Sequence, residues 1–463
     1  MKMVQIPFSG IHKEPGKIKD VYEVKPYSAI VYKEGDSVIA ENHKGRKIAD
    51  GEAGVDDAEV IQKALDSLTP NRSWKEKVAL IGDFVINNSL VLDSYTIFKV
   101  IGKIRLADGV NKHMITADSK TDIEIYGELD GNRLNQTADS RGIYLYNCQN
   151  IKIRAKVKST WHHGIHLSSC NTAKIFTIQE DIGWTAVGLT LSNDVFCKFI
   201  VDGFGKTERH SGVKIDGGSN IYFKGIVKNG TGNGVDLSTV NGAVKNVVVD
   251  VVSENNYRGI IVKGLESTGN NAEDVFIYGT YRNNEEQGIA LANVVNSKIY
   301  ANSYNNGQVN ATGNPYGIRL YGSTGCSGIK VIGCRCYDID GTQTYGIVEE
   351  SNCDYNIIVN NDVRGNVTRG ISFAGANTIV RRNIGYLTEN SGTATFSGDG
   401  SKTQFSIAHS LVSTPSKVLV TPMTADAAGD FYVTADDTYI YINYSSAPAS
   451  GTDNVKVSWY AEV

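Results

Sequence analysis

The stretch GIYLYNCQNIKIRAKV (residues 142–157) is followed at once by a second version of itself, GIHLSSCNTAKIFTIQ (164–179). Each begins Gly-Ile-x-Leu, carries a cysteine six residues after the glycine, and continues into a second run of alternating apolar residues. The opening returns, altered, at Gly188 (GLTL), Gly212 (GVKI), Gly234 (GVDL), Gly259 (GIIV), Gly288 (GIAL), Gly317 (GIRL), Gly346 (GIVE) and Gly370 (GISF). A unit this short cannot bury a face alone, so neighbouring copies must stack. Two or three short strands per unit, no helix, and no Leu-x-x-Leu-x-Leu consensus predict the rungs of a parallel β-helix.

Strand alternation then assigns the sides: the second and fourth residues of each Gly-Ile-x-Leu point inward and the third outward. Ile165, Val213, Val235 and Ile260 are expected to stack inside the coil. Cys148 and Cys170 read as an internal stack of small residues, not a redox pair. The composition agrees. Gly is abundant (48 of 463) and Pro scarce (8), and Asn recurs in Asn-Asn pairs, which suits many tight turns between short strands. Seven cysteines without zinc-like spacing argue against a full disulfide framework.

Upstream, ADGEAGVDDAEVIQKALDSL (49–68) predicts a short amphipathic helix near Asp57–Leu68, with Val60, Ile61, Ala64 and Leu65 on one face. It is followed by strand after strand and by DIEIYGELDGNR (122–133). These segments resemble the start of pectate-lyase-like right-handed β-helix proteins, in which a Gly-Val-x-Asp-Asp segment and a helix cap the open end of the coil. The resemblance covers about residues 49–390. It implies an all-β fold and a right-handed coil, but not a reaction, because this architecture carries lyases, hydrolases, epimerases and adhesins.

The expected organisation is an N-terminal β segment (1–48), a right-handed parallel β-helix (49–390) and a small C-terminal antiparallel β domain (391–463). Residues 27–42 read as a hairpin around Glu34-Gly35-Asp36. The C-terminal segment is similar to modules of phage tail-fibre and tailspike proteins, a resemblance that implies a homotrimer. A net charge of −4 gives no bulk attraction to nucleic acid or anionic lipid. No stretch reaches membrane-spanning length, and the first residues lack the apolar run of a secretory signal. The expectation is a soluble protein, extracellular or virion-associated.

Outward ionisable residues concentrate between the rungs of Gly164 and Gly259: His166, Lys214, Asp236, Asp216 and Lys263. The turns entering these rungs add His162, His163, Glu208, Arg209, His210, Tyr257 and Arg258. A lone outward pair such as Lys214 and Asp236 contributes little. Four of the eight histidines, gathered with arginines and lysines on one face, point instead to a groove for a polyanionic glycan. Breaking a uronan by β-elimination requires removal of the C5 proton by a base, with a cation beside the carboxylate to stabilise the enolate-like intermediate. Histidine serves as such a base near neutral pH. His166 or His210 is the expected base, and Arg209 and Lys214 the cations. His163 and Tyr257 would position the sugar or return a proton to the leaving oxygen, and His162, Asp216, Asp236, Arg258 and Lys263 would bind it.

HHGIHL and ERHSGVKI, two rungs apart, resemble a finer pattern in mannuronan C5-epimerases and some alginate lyases of this fold. There a Tyr-Gly-Phe-Asp-Pro-His segment precedes an Arg-His-Gly-Phe. The resemblance places His163 at the tyrosine, His166 at the aspartate, and Arg209 and His210 at the Arg-His. The tyrosine and the Asp-Pro-His are absent here, and Ser211 is inserted before the glycine.

Two rival classes stand beside the lyase. Asp216 and Asp236, on adjacent rungs and offset by two positions, would be spaced by roughly 8 Å, which suits an inverting hydrolase pair. The Asn-Thr-Asp and Asp-Asp motifs of polygalacturonases are missing, although RGIIVKG is weakly similar to them. A non-catalytic glycan-binding adhesin is the other class. Outward Asp and Asn side chains leave Ca²⁺ open, with no fixed-spacing calcium loop and no metal ligand assigned.

Overall fold

The computed structural model describes residues 26–207, 209–265, 269–308 and 314–463. Residues 1–25 of the expected N-terminal segment, and Glu208, lie outside the described residues. The middle of the chain is a parallel β-solenoid of about 11 turns. One sheet is built from the Gly-Ile-x-Leu strands. Ile143–Tyr146, Ile165–Ser168, Val187–Thr190, Val213–Asp216, Asn233–Ser238 and Arg258–Lys263 pair parallel in that order. The second sheet is built from the longer strands that follow, such as Gln149–Lys158, Asn171–Glu180, Asn193–Asp202 and Gly218–Lys228.

Ile165, Val187, Val213, Val235 and Ile260 occupy one register line and are fully buried. Each such side chain contributes about 1.5–3 kcal/mol through its burial, and a short rung has no other large source of stability. All seven cysteines are buried and free. Cys148, Cys170 and Ser192 continue one another inside the coil, with the Cys148 N–H on Cys170 Sγ (3.4 Å) and the Cys170 N–H on Ser192 Oγ (3.2 Å).

Asn229 and the first asparagines of three Asn-Asn pairs have a common use. Asn229, Asn255, Asn283 and Asn305 all take left-handed φ, between 52° and 58°, at the turn after a long strand. Asparagine tolerates that region better than other L-residues. The second asparagine of three pairs turns inward: Asn284 Nδ2 donates to Asn306 Oδ1 (3.0 Å), and the Asn256 N–H donates to Asn284 Oδ1 (3.2 Å). The ladder satisfies buried polar backbone where the chain bends away from either sheet.

One rung differs from its reading in the sequence. GLTL does not begin at the register of its neighbours: Val187 pairs with Ile165, and Gly188 with His166. Ala186, not Gly188, stands at the position of Gly164 and Gly212. Thr190 therefore belongs to the line of Ser168 and Asp216, and Gly188 to the outward line of His166 and Lys214. The two-residue slip keeps the same faces in and out, because side chains alternate with period two. What it changes is which outward residue stands beside the histidines.

The N-terminal end is closed by the helix Asp57–Asp66, whose Val60, Ile61, Ala64 and Leu65 are buried. Asp57, fully buried, accepts from the Gly54 N–H (2.8 Å) and the Val85 N–H (2.7 Å) and pairs with Lys33 (2.9 Å). That carboxylate ties the cap to the first strands of the coil. Ala29–Glu34 and Ser37–Asn42 form an antiparallel hairpin, and Ala29–Glu34 also pairs parallel with Glu76–Ile81. At the other end Glu389–Gly398, Lys417–Pro422 and Gly451–Glu462 form one antiparallel sheet. Gln404–Ala408, Phe431–Ala435 and Tyr439–Tyr444 form another. Phe405, Ile440, Ile442, Val455, Val457 and Trp459 fill the core between them.

Candidate functional site

The turns that enter the Gly-Ile-x-Leu rungs stack on each other as the strands do. Two residues before each rung start come His162, Trp184, His210, Gly232 and Tyr257. The Trp184 ring lies between two imidazoles, 3.7 Å from the centroid of His162 and 3.7 Å from that of His210. The line of rings runs along the edge of the sheet that carries the outward residues, and it joins two clusters.

The first cluster holds three histidines. His162 Nδ1 lies 3.1 Å from Asp139 Oδ1 and 2.6 Å from His163 Nδ1. With the carboxylate on one side, the proton of that contact belongs on His162 Nδ1, and His163 Nδ1 accepts. Arg141, held bidentately by Asp139 (3.1 and 2.8 Å), donates to His166 Nδ1 (2.7 Å). His166 Nε2 must then carry the proton, which it donates to Thr190 Oγ1 (3.1 Å). The lone pair of His166 is thus occupied by an arginine. His162 and His163 are buried. Burial is the main cause that pushes the imidazoles down: His162 to about 4, His166 to about 3, and His163 well below its usual range.

Gly188 makes room for this cluster. A Cβ there would lie 2.7 Å from His163 Cδ2 and 3.0 Å from its Nε2. His163 is held between His162 and His166, with centroids at 4.4 and 4.5 Å, so it has nowhere to retreat. Gly188→Ala is expected to destabilise the protein by about 1–3 kcal/mol, the cost of overpacking, as read by chemical denaturation. Unchanged stability would mean that the imidazole stack is loose.

The second cluster lines a half-open cavity of about 200 Å³ over the rungs of Gly212, Gly234 and Gly259. It brings together Arg209, His210, Lys214, Asp236, Tyr257 and Lys263, all singled out in the sequence, with Ser211, Gly232 and Asn233. Asp236 Oδ2 accepts from Ser211 (3.2 Å) and Asn233 (3.0 Å) and faces Lys263 Nζ at 3.5 Å. Its other oxygen, Oδ1, is buried and unpartnered, as is Asn233 Oδ1. Arg209 lays its exposed guanidinium over the Tyr257 ring (4.2 Å), with a loose contact to Glu285 at 3.9 Å. The Tyr257 hydroxyl donates to Glu286, and its pKa is raised, first by burial and then by that hydrogen bond.

Two other expected site residues are committed elsewhere. Arg258 is held by Glu286 (3.0 and 2.6 Å) and Gln287 (2.6 Å), next to the cavity but turned onto the following rung. Asp216 pairs with Lys214 (3.3 Å) and accepts from the Asn241 N–H (3.3 Å). The sequence reading missed Asp139, Arg141 and Trp184. It took up the turns entering the rungs of Gly164 to Gly259, whereas Asp139 and Arg141 enter the rung of Gly142, and it opened the rung of Trp184 at Gly188, two residues late. The signal available for Trp184 was its place two residues before a rung start, once the register of Ala186 is known. Among the described residues no group of three or more His, Cys, Asp or Glu side chains is gathered as a metal ion would require, so none is assigned to Ca²⁺. Among the described residues no helix is long and apolar enough to cross a membrane.

No family model matches the chain, and no curated protein matches it. Solved structures do. The A-module of the Azotobacter vinelandii mannuronan C-5 epimerase AlgE6 is 17% identical, with a TM-score of 0.60 over 72% of this chain and 96% of its own. The A-module of AlgE4 from the same organism is 17% identical, with a TM-score of 0.56 over 71% and 97%. The Dettilon tailspike protein is 13% identical, with a TM-score of 0.50 over 88% and 90%. The solenoid described here is a right-handed parallel β-helix.

Proposed function

We infer that the protein cleaves an acidic, uronate-containing polysaccharide by β-elimination in the cavity over the rungs of Gly212 to Gly259. The observation that carries this reading is the placement of one imidazole, His210, beside three cations, Arg209, Lys214 and Lys263, in a single cleft. The cations meet the sugar carboxylate, whose charge grows as the C5 proton leaves, and being already in place they need little reorganisation. His210 takes that proton. As the C4–O bond breaks and the C4–C5 double bond forms, the proton on His210 is available to the leaving oxygen. His210 is preferred over His166 as the base, because the lone pair of His166 accepts from Arg141. His163 lies beneath the surface and Tyr257 gives its proton to Glu286, so both position rather than donate.

The structural neighbours named as epimerases support a uronan as the polymer, since epimerisation at C5 begins with the same proton removal. A hydrolytic pair fits less well. Asp216 and Asp236 each face a lysine ammonium (3.3 and 3.5 Å), an arrangement that suits binding more than proton donation. The test is product analysis on a panel of acidic polysaccharides. Unsaturated uronate ends are expected, and new reducing ends without unsaturation would favour the hydrolase. Binding without cleavage would favour an adhesin.

The tailspike likeness supports an extracellular or virion-borne setting and a homotrimer. On the long-strand sheet, opposite the site, Ile178, Ile200 and Ile226 form an outward row, the first two 44% exposed. With Phe176, Arg154 and Lys198, two of these isoleucines border an open groove of about 490 Å³. Apolar surface in contiguous rows is costly to leave in water, and this face is where copies of the chain would meet. Light scattering is expected to give three times the 50.2 kDa chain mass, and Ile200→Asp to reduce it. A monomer across a wide concentration range would refute the trimer.

A further inference from the structure

The two ends of the coil are closed differently. At the first, the helix Asp57–Asp66 lays an apolar face over the rungs. At the last, formed by Arg369–Ser372 and Ile379–Arg381, the C-terminal sheets meet the coil through separated contacts. The Val412 N–H donates to the Leu387 carbonyl (3.0 Å), the Val463 N–H to that of Thr388 (3.0 Å), and Arg381 pairs with Glu462 (2.6 Å). Contacts so spaced leave a half-open cleft of about 460 Å³ at the last rung. A cleft of that size at a domain junction falls in the ~300–1,000 Å³ range of small-molecule sites. The rung of Gly370 lies five levels beyond that of Gly234, about 24 Å along the coil, so the cleft is separate from the cavity.

Its walls combine bare apolar surface with cations. Phe373 and Ile379 line it and are 40% and 48% exposed. With them stand two guanidiniums, Arg369 and Arg381, and the Ser413 hydroxyl. The carboxylate in the lining, Glu462, is already taken: it accepts from Arg381 (2.6 Å), Lys417 (3.2 Å) and Tyr460 (3.0 Å). Arg369 is not taken. Among the described residues no carboxylate pairs with it. Its guanidinium lies over the Tyr386 ring at 5.6 Å and makes one long contact, 3.5 Å, to the Val412 carbonyl oxygen. An exposed planar fork suits a two-point grip on an oxyanion. A bare inorganic anion would leave most of the volume, and both apolar side chains, to water. A sugar acid covers both needs, with C–H groups on its ring face and a carboxylate beside hydroxyls that Ser413 can meet. Among the described residues lining the cleft there is no histidine, and its carboxylate is committed, so it offers no base. We propose that this cleft is a second, non-catalytic site for an acidic sugar unit, with the carboxylate on Arg369 and the ring face over Phe373. The proposal rests on the uronan reading above only for the identity of the acid, since a chain cleaved in the cavity presents further units of the same kind.

Calorimetry on the full chain carrying His210→Ala, so that the probe is not consumed, tests it with trimers of galacturonate and of mannuronate. Two sites per chain are expected for at least one trimer. Arg369→Ala should weaken one of them about 10- to 100-fold and leave the other, and Arg209→Ala should do the converse. Phe373→Ala, at an exposed position outside the core, should weaken the Arg369 site about 10-fold. The methyl ester of the same trimer keeps the shape and loses the charge, and should bind the cleft as weakly as the acid binds Arg369→Ala. A single site, lost with Arg209 and unaffected by Arg369→Ala, would overturn the cleft and leave the uronan reading standing. A single site, lost with Arg369 and indifferent to Arg209, would retain the cleft and remove the acid from the cavity. Undiminished binding of the ester at the cleft, or displacement of the trimer there by equimolar inorganic sulfate, would overturn the acidic sugar as its ligand. No binding of either trimer would overturn both.

Discussion

His210→Ala and Arg209→Ala are each expected to lower turnover of the acidic polysaccharide about 10²–10⁴-fold while the coil stays folded. The size follows from the roles. Without His210 no imidazole of the described residues lines the cavity, since His166 is capped by Arg141 and His163 is buried. Without Arg209 the carboxylate loses the one guanidinium in the cavity, the planar donor that can grip it with two parallel hydrogen bonds. Neither side chain is part of the core. Arg209 is exposed, and His210 packs against Trp184, a contact worth about 0.5–1.5 kcal/mol. Asp216→Asn should be far milder, within about tenfold, because it only relieves Lys214 of a partner. The comparison is made by steady-state kinetics beside thermal unfolding of each variant. Loss of activity in Asp216→Asn and Asp236→Asn, with His210→Ala unharmed, would reverse the assignment in favour of the carboxylate pair.

Stability should fall steeply with acid, and the histidine cluster should be the cause. An unfolded histidine titrates near pH 6.5. In the folded protein burial holds His162 at about 4 and His166 at about 3. Above pH ~6.5 both states are neutral and the shifts contribute nothing. Between pH ~6.5 and about 4 for His162, or about 3 for His166, the unfolded chain takes up protons that the folded chain excludes. Unfolding therefore becomes easier as pH falls. At 1.36 kcal/mol per unit, His162 alone accounts for about 3 kcal/mol by pH 4. Denaturant midpoints measured from pH 7.5 to 4 should decline, and His162→Gln should flatten the decline. A midpoint constant down to pH 5 would show that the three imidazoles charge freely, and that the neutral network of Asp139, Arg141 and His166 does not form.

The fold was legible because a repeat is redundant. Ten versions of one strand fix the inward line of Ile165, Val213, Val235 and Ile260 even when one copy is misread, as the copy at Gly188 was. That copy misled because glycine has two uses in this chain. At Gly164 and Gly212 it opens a rung, while at Gly188 it stands in the outward line and yields space to His163. The site was legible in part for the same reason. Strand register brings Lys214 beside Asp236, and Asp236 beside the rung of Lys263. The direction and reach of long side chains in the turns follow no such period. Nothing in the spacing says that Arg258 turns onto Glu286 and away from the cavity, that Asp139 reaches His162, or that Trp184 separates His162 from His210. Those contacts depend on side-chain length and on the path of the loops, which the alternation of strands does not constrain.

The most direct measurement of the central claim is the ultraviolet absorbance of the intact protein mixed with polyuronates. A double bond formed between C4 and C5 is conjugated with the carboxylate and absorbs where the intact polymer does not. The account predicts that absorbance rises with time on at least one polyuronate, and that His210→Ala abolishes the rise. Chain shortening without any new absorbance would contradict it.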